Sequence, residues 1–170
     1  PEGHKLVNHY TYCLTGDGCL NEGISQEAIS FAGHQRLNKL ILIYDANKVM
    51  LDGNLDTAFS ENVELRFLAS NWNVIKVKDG NDMDAIDRAI RKAKKSTDYP
   101  TLIIVNTVIG YGSPNQGTSK VHGNPLGVED GKKTKEFYGY NYPDFTIPEE
   151  VYQLMRDTFE KRGVDSYQKW

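Results

Sequence analysis

Only two cysteines occur in the 170 residues, Cys13 and Cys19, and that scarcity removes a disulfide-dense secreted scaffold from consideration. Five residues separate them, so they do not form a CxxC pair either. They read as reduced core thiols in a reducing compartment, with a cytoplasmic location as the expectation. Positive charge is also in short supply: 20 Lys and Arg against 23 Asp and Glu give a net charge of −3. The basic residues are scattered through helical stretches and draw no stripe, so nucleic acid is not an expected partner. Long apolar runs are missing as well. The longest, "LILIY" at 40–44 and "TLIIV" at 101–105, have strand length and fall far short of a membrane span, so no membrane partner is expected. No signal peptide is visible, although the sequence opens on "PEGHK" without Met, which leaves that absence little weight. Internal repeats are absent too.

What is present has ordinary globular proportions, 39% hydrophobic and 25% charged, over a length that can bury a core. The pattern alternates. "HYTYCLT" (9–15) reads as a buried strand. "NEGISQEAISFAGHQRL" (21–37) places Ile24, Ala28, Phe31 and Ala32 at helical spacing, and "KLILIYD" (39–45) is a second strand. The alternation repeats with a helix at 61–70, a strand at 73–77 and an amphipathic helix at 82–96 carrying Met83, Ile86, Ala89, Ile90 and Ala93. A strand at 101–107 closes the series. Strands alternating with helices predict an α/β fold, a parallel sheet with helices on both faces. Beyond 108, "IGYGSPNQGTSKVHGNPLG" (109–127) has no period and reads as a long loop, and 148–163 reads as a helix ending at Gly163.

In parallel sheets ligands gather at the carboxyl ends of the strands. The first such end carries "GDG", Gly16, Asp17 and Gly18. The next carries Asn47, thirty positions later, which is one strand-helix-strand step and sets the two turns side by side. Mg²⁺ takes oxygen ligands, often one or two side chains supplemented by phosphate oxygens and water. Asp17, Asn47 and a backbone carbonyl near Val49 could supply the protein's share. The same residues equally suit plainer roles, Asp17 as a helix cap and Asn47 as a turn former.

Four segments in order and spacing, "HYTYCLTGDGCLNEGISQEA", "KLILIYDANKV", "IGYGSPNQGT" and "VHGNPLG", resemble the transketolase family, and the resemblance runs from about Gly3 to the C-terminus. It implies a thiamine diphosphate-binding fold, incomplete on its N-terminal side. A partial core at 3–127 would be followed at 128–170 by an extension leading toward a pyrimidine-binding domain. Asp17, Asn47 and the Val49 carbonyl would hold Mg²⁺, with Ca²⁺ able to substitute. Gly16 and Gly18 would let the backbone approach the diphosphate. His122 matches a family histidine close to both diphosphate and sugar, and would serve in catalysis, cofactor binding and substrate binding; the plainer reading is a loop histidine capping a turn. Glu22 and Glu27 match acidic residues at the subunit contact, or are solvated acids favoured by the helix dipole. Asp45 lies beside the metal point without a ligand role, and His4, His9 and His34 have no catalytic one.

The implied activity is transfer of a two-carbon ketol unit from a ketose phosphate to an aldose phosphate. Partners would be sugar phosphates and a pyrimidine-binding domain from the second subunit of a homodimer. Family histidines upstream and a pyrimidine-activating glutamate downstream have no counterpart in these residues, so the 170 residues alone are expected to be inactive. A related ketol transferase such as dihydroxyacetone synthase, and a non-catalytic remnant serving as an interaction module, are the alternatives.

Overall fold

A computed structural model describes residues 8–170 of the chain. Gly3 and His4 therefore lie outside the described residues. Four parallel strands form the main sheet: β1 (Thr11–Gly16), β2 (Leu40–Ala46), β5 (Asn73–Val77) and β6 (Thr101–Asn106), in the spatial order β1-β2-β6-β5. A small hairpin of β3 (Val49–Met50) and β4 (Gly53–Asn54) follows β2 directly. In the main sheet Gly16 lies beside Asp45, and Ala46 beside Asn106, so the carboxyl ends of three neighbouring strands finish level.

Alternation of side chains assigns the two faces. Leu42, Tyr44, Leu102 and Val74 point to one, where they meet Ile29 and Ala32 of α1 (Gly23–His34) and Val63 and Phe67 of α2 (Val63–Ala69). Ile41, Ile103, Val105 and Val77 point to the other, where Ala89 and Ala93 of α3 (Met83–Ala93) cover them. Strands buried from both sides need near-continuous apolar sequence, which is what "LILIY" and "TLIIV" provide. The helix starts carry side-chain caps: Asn62 accepts the Leu65 N–H at 3.1 Å, and Asp82 accepts the Ala85 N–H at 2.8 Å.

Three local expectations are corrected. β1 is not buried: β2 is its only ladder partner among the described residues, and Leu14 on it is 78% exposed. Cys13 and Cys19 are exposed free thiols rather than core residues for the same reason, since one lies on β1 and the other just past it. In α1 the buried face is Ile29, Ala32 and Gly33, while Ile24 and Phe31 point outward. Gly33 decides that orientation, because its missing side chain lets the helix approach the backbone of Ser70 so closely that a Cβ would stand 1.8 Å from the Ser70 carbonyl oxygen.

The chain divides into two compact units, 1–126 and 127–170. The second contains α4 (Gly127–Phe137) and a continuous run of α5 (Glu149–Met155), a π-helical turn (Arg156–Glu160) and α6 (Lys161–Lys169). The predicted stop at Gly163 is therefore overrun. Glycine ends a helix when it takes a left-handed conformation, and Gly163 stays right-handed. None of these helices buries a residue.

Candidate functional site

The turn after β1 holds a carboxylate that is almost sealed from solvent: Asp17 is 2% exposed. It opens a short 3₁₀ turn (Gly18–Asn21) without capping it through its side chain. The carboxylate reaches across to the next strand end instead. Its Oδ1 accepts a hydrogen bond from the Tyr44 hydroxyl, and its Oδ2 accepts the Lys48 backbone N–H at 2.9 Å. Both donors are uncharged, and no salt bridge reaches Asp17 among the described residues. Burial, and next the hydrogen bond to Asp17, push the Tyr44 hydroxyl well above its ordinary pKa, so it stays protonated as a donor.

Asn47 follows β2. Its Oδ1 accepts the Val49 N–H at 3.0 Å, and its Nδ2 donates to Asp45 at 3.3 Å. Between them Lys48 has φ of 64°, a left-handed conformation uncommon outside glycine. That turn aims the Lys48 N–H at Asp17 while its carbonyl accepts the Leu55 N–H at 3.0 Å. Asp17 and the Asn47–Val49 segment, thirty positions apart in sequence, thus meet at one edge of the sheet. A cavity of about 470 Å³ opens there, lined by Asn47, Lys48, Val49, Leu55, Phe59 and Gly117 among others. Gly16 and Gly18 rim open space, since a Cβ on either would meet nothing within 4 Å.

Within the 109–127 stretch that reads as a long loop, residues 109–126 form a chain of tight turns. Gly117 N–H bonds the Ile109 carbonyl at 2.8 Å, and Gly112 N–H bonds the Gln116 side chain at 2.8 Å. Gly110, at φ of 62°, lies so close to Val121 that a Cβ would stand 2.6 Å from Cγ2. This closure sets a 3₁₀ turn (Ser119–Val121) and, at its end, His122. The His122 N–H bonds the Ser119 carbonyl at 3.0 Å, while the buried ring nitrogen Nδ1 has no hydrogen-bond partner among the described residues. Gly123 reaches the hairpin, where its Cβ position lies 3.9 Å from Leu51.

Glu22 and Glu27 are exposed at the start of α1 and form no ion pair among the described residues, so the structure does not gather them with Asp17 and Asn47. The residues that sequence reasoning missed are Tyr44 and Thr107, both of which hold carboxylates at the strand ends. Their signal was a polar side chain at the end of an otherwise apolar strand.

No group of three or more His, Cys, Asp or Glu side chains converges among the described residues. The donors gathered at this edge are different in kind, the Asp17 carboxylate and the Asn47 amide oxygen, and both are oxygen types that suit a hard cation. A buried carboxylate met only by neutral donors is costly, and a divalent cation would offset it. Open space beside the two glycines leaves room for phosphate oxygens to complete the shell.

Comparison with known proteins follows the same lines. The family model described as "Transketolase, thiamine diphosphate binding domain" matches residues 1–170. Transketolase of Staphylococcus aureus is 52% identical over 99% of this chain and 26% of its own length. That of Bacillus subtilis is 50% identical over 99% of this chain and 26% of its own. Among solved structures, the transketolase of Leishmania mexicana superimposes with a TM-score of 0.91 at 40% identity, over 95% of this chain and 24% of that one. The Pichia stipitis enzyme in complex with sedoheptulose 7-phosphate gives 0.90 at 42%, with the same coverage. The chain spans about a quarter of the length of these relatives.

Proposed function

Because the chain belongs to the transketolase family through its thiamine diphosphate-binding domain, we propose that it supplies the cation- and diphosphate-holding part of a ketol-transferring enzyme. The reaction moves a two-carbon ketol unit from a ketose phosphate to an aldose phosphate, in the cytoplasm. The observation that carries this reading is the buried Asp17 carboxylate, held by neutral donors against the Asn47–Val49 turn.

Thiamine diphosphate, when bound, supplies the carbanion chemistry of the reaction. The chain's own residues bind and orient. Asp17 and Asn47 offer side-chain oxygens, and Val49 its carbonyl, to Mg²⁺ or to Ca²⁺ in its place. A cation held there would supply positive charge for the diphosphate, and Gly16 and Gly18 keep the approach clear of side chains. His122 presents a ring whose buried Nδ1 lacks a partner among the described residues, and it would be the group that binds the diphosphate end and the sugar. A pyrimidine-binding domain from the second subunit of a homodimer completes the site, with Glu22 and Glu27 at the subunit contact. The core at 3–127 would do the holding, and the extension at 128–170 would lead toward a pyrimidine-binding domain.

Calorimetric titration with thiamine diphosphate tests this reading. Binding is expected only with Mg²⁺ or Ca²⁺ present, and Asp17→Asn should weaken it by about tenfold or more, the scale of removing a site-organising contact. Equal binding with and without a divalent cation would overturn it.

A further inference from the structure

One polar side chain at the edge of this site has no part in the proposal above. Asp45 stands at the junction of two strand ends. One of its carboxylate oxygens accepts from the hydroxyl of Thr107, the residue following β6, and the other accepts from Nδ2 of Asn47 at 3.3 Å. An asparagine amide has two ends of nearly equal shape and opposite character, an oxygen that attracts a cation and an NH₂ that repels one. Here Nδ2 is tied to Asp45, and Oδ1 accepts the Val49 N–H with a lone pair to spare. Strand geometry makes the arrangement firm, because Ala46 and Asn106 are ladder partners and bring Asp45 and Thr107 to adjoining strand ends.

We propose that Asp45 is a positioning residue of the cation site: held by Thr107, it fixes the Asn47 amide so that the oxygen, not the NH₂, faces the cation. The inference rests on the cation reading of Asp17 and Asn47. Its chemistry is that of metal sites generally, where a partner behind the ligand sets the ligand's orientation.

The test is Mn²⁺ binding to the protein at its natural length with saturating thiamine diphosphate, followed by the electron paramagnetic resonance signal of free Mn²⁺, with melting temperatures measured alongside. Asp45→Leu is expected to raise the Mn²⁺ dissociation constant by about tenfold or more. Asp45→Asn should stay close to the unsubstituted protein, because its amide oxygen still accepts from Asn47 while the Thr107 hydroxyl turns to accept from its NH₂. Thr107→Val should weaken Mn²⁺ binding and Thr107→Ser should restore it, and this pair decides the matter if Asp45→Leu does not fold. Unchanged Mn²⁺ affinity in Asp45→Leu, or equal losses in Asp45→Leu and Asp45→Asn, would overturn the proposal, the second by showing that charge rather than amide orientation matters. No Mn²⁺ binding by the unsubstituted protein would instead overturn the cation reading, and this proposal with it.

Discussion

The Tyr44 hydroxyl donates a hydrogen bond to the Asp17 carboxylate, joining the end of β2 to the turn that follows β1. Replacing Tyr44 with Phe keeps the ring in the α1 and α2 face of the core but leaves the buried carboxylate with only the Lys48 N–H. Hydrogen bonds to charged groups contribute about 1.5–3 kcal/mol, so Tyr44→Phe should lower unfolding stability by that order. Urea titration reads it as a lower midpoint at unchanged slope.

The same bond has a pH signature. The Tyr44 hydroxyl is raised above its unfolded value, so the folded state holds that proton more tightly than the unfolded chain does. Its contribution is complete below about pH 10, the ordinary tyrosine value, and declines as pH rises beyond it. Alkaline unfolding of Tyr44→Phe should lack that part of the decline; parallel curves for the two proteins above pH 10 would contradict the account.

Much of this was legible in the sequence, and the reasons for success and failure are physical. "LILIY" and "TLIIV" could be recognised as sheet interior because both of their faces are covered. Asp17 and Asn47 could be paired because one strand-helix-strand step has a characteristic length. The exposure of β1 could not be read, since "HYTYCLT" has the composition of an interior strand and its burial depends on what lies beside it. Nor could Tyr44 and Asp45 be assigned, because consecutive strand residues face opposite ways and their partners, Asp17 and Thr107, are distant in sequence.

The orientation of α1 turns on Gly33. A methyl group there would collide with the Ser70 carbonyl, so Gly33→Ala should destabilise the chain by about 1–3 kcal/mol, the usual cost of overpacking. Gly23→Ala is the control. It also lies in α1, but a Cβ there meets nothing within 4 Å, and its effect should stay within about 0.5 kcal/mol. Thermal unfolding of the two variants distinguishes close packing from a general intolerance of substitution in the helix.

Gly163 makes the opposite case. It sits inside α6 with right-handed backbone, and a Cβ would meet nothing within 4 Å. Alanine should therefore favour the helix by about 0.5–1 kcal/mol through the lower backbone entropy of its unfolded form. Circular dichroism of Gly163→Ala should show higher helix content or a higher melting temperature; a loss would mean that this glycine ends the helix after all.

His122 separates ligand binding from folding. Its buried Nδ1 has no hydrogen-bond partner among the described residues, and an unpaired buried polar atom costs rather than contributes stability. His122→Ala should accordingly leave the ligand-free protein about as stable as before. A group that binds only the folded state raises its melting temperature by an amount that grows with the logarithm of ligand concentration over dissociation constant, so the shift given by thiamine diphosphate with Mg²⁺ should shrink in the variant. In the enzyme at natural length, cofactor affinity or turnover should fall by about tenfold or more, equivalent to about 1.4 kcal/mol. An undiminished melting shift together with undiminished turnover would return His122 to the role of a turn residue. A variant that melts low even without ligand would show that the ring supports the 109–126 segment rather than the diphosphate.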